Sequence, residues 1–208
     1  MFIHFINSIV QRLLMCFFID CLTAIDIAFA IDSSRSVRDK AFQEMKDFAK
    51  DIVDSFAVSQ NEARFASLLY SNKAEVSFNF VRHGTAEKVK RAIDALEHKK
   101  LDTRVDKALE LAASDLFSLQ GGVRTRRPMV LVVFFDGDIS RDMQDLEKVA
   151  APLKEYGVKI VAVGVGPEIN NYQLAKIATS SNVIFQAETF KNLLPELYSI
   201  TEETCSGL

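Results

Sequence analysis

The 208-residue chain has no tryptophan and only three cysteines and three histidines. Cys16, Cys21 and Cys205 form no Cys-x-x-Cys pair and no Cys/His cluster at metal-ligand spacing, which argues against a zinc site. His4, His83 and His98 stand in polar or leader-like surroundings, and none falls at the end of an expected strand. A hydrolase would need a base or nucleophile relay at such a place, so the chain does not read as an enzyme. Basic charge is not in excess either. The formal net charge is −3, which argues against a nucleic-acid partner, because such proteins carry a basic stripe. Gly164-Val165-Gly166 opens like a dinucleotide-binding turn, but Pro167 follows and the third glycine is missing. No small-molecule substrate is therefore expected. The chain also lacks an Asn-x-Ser/Thr acceptor, an internal repeat and a low-complexity segment.

Apolar residues are plentiful. They make up 49 % of the chain, and the 16 phenylalanines read as core filling for one globular domain. Met1 to Ile19 is apolar but broken by Asn7, Ser8, Gln11 and Arg12, leaving only Leu13 to Ile19 uninterrupted. That is too short for a membrane span and suits the apolar core of a secretory signal, with Arg12 as the preceding positive charge. Residues 1–20 are thus expected to be a signal peptide, a signal anchor being the other reading, and residues 21–208 a single domain. Secretion would also give two of the cysteines a role. Cys21 and Cys205 bracket nearly the whole domain; in an extracellular setting they would form one terminal disulfide, contributing about 4–5 kcal/mol in the chain-entropy model. The alternative is two unpaired thiols at frayed ends.

Strands and helices alternate along the rest of the chain. Ile27–Ile31, Arg64–Tyr70, Ala74–Phe80, Met129–Phe135, Val158–Val165 and Val183–Gln186 read as strands. Helical periodicity covers Arg38–Ser55, Thr85–Leu96, the stretch from Val105 to Leu116, Asp142–Tyr156, Asn170–Thr179 and Thr189–Glu203. The short turn at Ser71–Lys73 makes the second and third strands a hairpin, with Val76, Phe78 and Phe80 expected to face inward. This order predicts an α/β fold: a mostly parallel six-stranded sheet with one antiparallel edge strand and helices on both faces. Gln120–Pro128 is the clearest linker, and its Arg124, Arg126 and Arg127 read as a solvated basic patch, contact with acidic glycans being the alternative.

The stretch Asp26–Ser36, DIAFAIDSSRS, organises the chain. A strand buried on both faces runs into Asp32, Ser34 and Ser36, and ligands of open α/β sheets bind beyond the carboxyl ends of their strands. Ser36 is also placed to cap the helix that follows, and Thr103 stands before another helix as a cap or a ligand. The strongest strand, MVLVVFF, ends on Asp136. Asp32, Ser34, Ser36, Thr103 and Asp136 together offer two carboxylates and three hydroxyls. Such hard oxygens suit Mg²⁺, with Mn²⁺ or Ca²⁺ as alternatives, and leave a coordination position open.

With these motifs in view, the chain resembles the von Willebrand factor A domain over about Cys21 to Cys205. The matching stretches are DIAFAIDSSRSV, RFASLLYSNKAEVSFNF, TRVDKAL, VLVVFFDG and VKIVAVGVG. The loop pattern looks closest to extracellular matrix members such as the matrilins and the collagen VI type. The resemblance implies that the sheet is doubly wound and that Asp32, Ser34, Ser36, Thr103 and Asp136 form a metal-ion-dependent adhesion site. It implies a secreted protein-binding module that recognises a matrix or cell-surface protein through an acidic side chain, a single copy being open to homo-oligomerisation. An intracellular scaffold of the same fold, without a working metal site, is the alternative. The sequence departs from the family pattern at the rim. Arg35 stands where a small residue is common, Leu101–Asp102 replaces the usual glycines, and Val105 replaces a second threonine. Arg35, Asp102 and Asp138 are therefore candidates for contact with the partner, or solvated rim residues.

Overall fold

The computed structural model describes residues 24–135, 143–166, 169 and 171–188. Strand β1 (Asp26–Asp32) is buried along its whole length, as its apolar run requires. It pairs in parallel with β2 (Arg64–Tyr70) on one side and β4 (Met129–Phe135) on the other. With β3 (Ala74–Phe78), β5 (Val158–Val165) and β6 (Ile184–Ala187) the sheet order is β3-β2-β1-β4-β5-β6. Among the described strands only β3 runs antiparallel, at one edge. This is the mostly parallel α/β sheet that the alternation of elements predicts, in the doubly wound form that the resemblance implies.

Among the described residues, five α-helices lie against the sheet: α1 (Asp39–Asp54), α2 (Ala86–Asp94), α3 (Val105–Leu111), α4 (Leu146–Glu155) and α5 (Asn171–Ile177). α1 packs on α2, while α4 packs on both α3 and α5. The apolar periodicity after Thr103 runs through α3 into a π-helical turn, Ala112–Leu116, and Val105, Ala108, Leu109, Ala112 and Leu116 are all fully buried. α4 ends where Gly157 takes a φ of 90°, a left-handed value that glycine adopts without strain. Phenylalanines fill the centre in place of tryptophan. Phe29 stacks on Phe65 with ring centroids 5.7 Å apart and tilts against Phe134 at 6.1 Å.

The hairpin departs from strict alternation. Its register shifts between Ser67 and Leu68, and this bulge turns Val76 outward to 38 % exposure while Phe78 and Phe80 stay buried. Arg124 also differs from expectation. Rather than lying in solvent, it reaches under the amino end of β1. Its Nε and Nη2 donate to Asp26 Oδ1 at 2.9 and 2.6 Å, and its backbone amide donates to Oδ2 at 2.6 Å. Nη2 also donates to the carbonyls of Ile25 and Glu62. Asp26 is fully buried, so its charge is neutralised from within the fold; Arg126 and Arg127 remain exposed. The expected signal peptide over residues 1–20, Cys16, Cys21, Cys205, Asp136, Asp138 and the expected helix Thr189–Glu203 lie outside the described residues.

Candidate functional site

At the carboxyl end of β1 the chain turns sharply. The backbone amide of Ser34 donates to Asp32 Oδ1 at 2.8 Å, an Asx-type turn that brings the next two hydroxyls round to one point. Ser34 Oγ lies 2.9 Å from Ser36 Oγ, which lies 3.4 Å from Thr103 Oγ1. Asp32 and Ser34 are fully buried, Thr103 nearly so, and Ser36 is open to solvent. The hydroxyl row therefore runs from the interior to the surface. Neither expected cap forms. The N-cap of α1 is Arg38 and that of α3 is Arg104, neither making a side-chain cap bond. The hydroxyls of Ser36 and Thr103 face each other instead of the helix amides.

Thr103 reaches this point because the segment before it is laid alongside the turn. Leu101 forms a parallel bridge with Ser34; the Arg35 amide donates to the Leu101 carbonyl at 2.7 Å, and the Lys100 amide to the Ser33 carbonyl at 2.8 Å. Ser33 is pinned in turn, its hydroxyl and amide both donating to the Tyr70 carbonyl. On the far side of Thr103, Arg104 grips the buried Asp106 with Nε on Oδ1 at 2.9 Å and Nη2 on Oδ2 at 2.7 Å. Burial pushes the Asp106 carboxyl up, but the Arg104 guanidinium and the Gln144 amide outweigh it and hold the group below its ordinary value. The sequence reading missed this pair. Its signal was two opposite charges flanking the apolar Val105 at a helix start.

The rim is the part open to a partner. Arg35 and Asp102 form an ion pair at 3.4 Å with side chains 78 % and 66 % exposed. Leu101 is 47 % exposed beside them. His98, expected only as a histidine in polar surroundings, is drawn into this region. Its side chain, only 9 % exposed, stacks on Phe42 at 4.7 Å, and its Nε2 donates to the Ser34 carbonyl at 2.9 Å. Its Nδ1 lies 2.8 Å from Asp39 Oδ1. The Asp39 carboxyl sits below its ordinary value, first through the hydrogen bond from Lys100 and then through that with His98.

The donor set suits a small hard cation. All four described donors are oxygens, and adjacent ligands of an octahedral ion with bonds of about 2.1 Å stand about 3.0 Å apart. The Ser34–Ser36 separation of 2.9 Å matches that edge, and the Ser36–Thr103 separation of 3.4 Å is slightly wide. Among the described residues no three His, Cys, Asp or Glu side chains gather, so this cluster is hydroxyl-rich rather than carboxylate-rich.

The comparisons with known proteins agree with this architecture. The family model for the von Willebrand factor type A domain matches residues 26–200. Mouse matrilin-4 is 35 % identical over 158 residues, 74 % of this chain and 25 % of matrilin-4. The mouse collagen alpha-4(VI) chain is 31 % identical over 182 residues, 88 % of this chain and 8 % of the collagen. The chain thus spans a quarter or less of these two relatives. Among solved structures, proximal thread matrix protein 1 from the mussel byssus, described with a zinc-occupied MIDAS motif, superposes with a TM-score of 0.82 at 28 % identity. That superposition covers 90 % of this chain and 47 % of the mussel protein. On this agreement of sequence and fold, the chain belongs to the von Willebrand factor type A domain family.

Proposed function

We propose that this domain is a divalent-cation-dependent protein-binding module of the extracellular matrix or cell surface. The observation that carries the reading is the convergence of Ser34, Ser36 and Thr103 hydroxyls beside Asp32 at the open end of the central strand. Support comes from relatives named for matrilins and collagen, and from the zinc-occupied MIDAS motif of the mussel protein. Ser34 and Ser36 would touch the ion directly, with Thr103 beside them. Asp32, together with Asp136, would neutralise it, partly through water. Mg²⁺ is the expected occupant; bound there, it would offer an open position to a carboxylate of the partner.

Arg35 stands at the mouth of this site, where it would steer an acidic partner and form a charge-assisted hydrogen bond with it. In this setting residues 1–20 act as the signal for secretion, and Cys21 pairs with Cys205 across the ends of the domain. The test is a binding screen against immobilised matrix proteins in Mg²⁺ and again in EDTA, with D32A as control. Capture in Mg²⁺ that is lost in EDTA and in D32A is expected. Capture unchanged by EDTA would overturn the metal mechanism.

A further inference from the structure

We propose that His98 is a positioning residue for the cation site, fixing the turn that carries Ser34 and Ser36; this rests on the metal reading above. The ring bridges two elements that meet at the site. Its Nε2 donates to the carbonyl of Ser34 itself at 2.9 Å, its Nδ1 lies 2.8 Å from Asp39 Oδ1 in the first turn of α1, and its face stacks on Phe42 one turn further along. Three independent contacts hold an imidazole that is almost wholly enclosed. Such an arrangement has one orientation, and it aims a single N–H at the backbone of the serine whose hydroxyl opens the row.

The surrounding segment is held in an unfavourable conformation. Lys100 adopts a φ of 58°, a left-handed value that a side chain of this kind rarely takes. It is kept there by its amide on the Ser33 carbonyl at 2.8 Å and by its ammonium on Asp39 at 2.7 Å. Asp39 therefore anchors both His98 and Lys100, and the two clamp consecutive carbonyls, Ser33 and Ser34, from one side. The serine turn is otherwise short and polar, with Ser36 and Arg35 both exposed. A turn of this kind needs an external brace to keep two hydroxyls at ligand spacing before an ion arrives. Outer partners that orient a ligand typically matter about 10–100-fold in metal affinity.

The test is Mn²⁺ titration calorimetry on the whole chain, with urea unfolding in EDTA as a separate readout of stability. H98F keeps the stack on Phe42 and removes the donor. H98Q restores an N–H near the Nε2 position. H98F is expected to bind Mn²⁺ about 10-fold more weakly, and H98Q to recover most of that loss. A merely structural role would lower stability in both variants without restoring affinity in H98Q. D39N, altered at an exposed residue, is expected to weaken Mn²⁺ by a smaller factor and carries the test if H98F does not fold. If the wild type binds and neither H98F nor D39N differs from it, the role of His98 is overturned while the metal reading stands. If the wild type takes up no Mn²⁺, the metal reading itself fails and this role fails with it.

Discussion

Asp26 and Asp32 stand at the two ends of the same strand, both fully buried, and the fold treats them differently. At the amino end, Arg124 and its amide take both oxygens of Asp26, and the same guanidinium ties in the carbonyls of Ile25 and Glu62. At the carboxyl end, Asp32 takes the amide of Ser34 and is followed by hydroxyls that bond to one another on the way to solvent. The first arrangement is closed and structural. The second opens outward, with hydroxyls available to exchange one another for an ion. One strand therefore carries a fixed internal charge pair at one end and a site that suits an external cation at the other.

Four changes would break or sharpen this contrast. The largest effect is expected from R124M, which leaves Asp26 buried without its guanidinium. It should cost about 3–5 kcal/mol, a fall in Tm of about 10 °C for a domain of this size, while Mn²⁺ affinity stays within about twofold by calorimetry. D32N should do the reverse. Its Oδ1 still accepts the Ser34 amide, so stability in EDTA should change by less than about 1 kcal/mol. Cation-dependent capture should nevertheless fall by more than the roughly 10–100-fold typical of outer partners.

Acid gives a third handle, on the Arg104–Asp106 pair that anchors α3 behind Thr103. The folded Asp106 carboxyl titrates below its ordinary value of 3.8, so its contribution is present above that value and lost as pH falls through the lower folded one. D106N should therefore flatten the acid limb of urea stability measured from pH 5 downward, whatever its effect at neutral pH. The smallest effect is expected from R35A. An ion pair this exposed contributes about 0–1 kcal/mol, so stability should hardly move. The association rate with an acidic partner should fall and lose part of its salt dependence in surface-plasmon measurements.

The sheet was legible because its strands are apolar runs with sharp polar ends. β2, β4 and β5 match the expected bounds residue for residue, and the alternating order called for a mostly parallel sheet. Ser34, Ser36 and Thr103 were legible as a candidate group because their hydroxyls fall at a strand end and at the helix start beside it, and the structure brings them together. What was hidden depended on partners distant in sequence. Arg124 read as a surface cation because Asp26 lies 98 residues away. His98 read as a polar loop residue because both its hydrogen-bond partners, and the ring it stacks on, lie some 60 residues earlier. Val76 was misplaced because a bulge leaves no trace in an alternating pattern. Of the five expected metal donors, Asp136 lies outside the described residues, so the described cluster shows one carboxylate and three hydroxyls.

The most direct measurement is Mn²⁺ titration calorimetry of the wild type beside an S34A/S36A double variant, with urea unfolding in EDTA run in parallel. The wild type should take up a single ion, and the double variant should lose that uptake while unfolding at nearly the same urea concentration. Equal uptake by both proteins, or none by the wild type, would contradict the assignment of the hydroxyl row as a cation site.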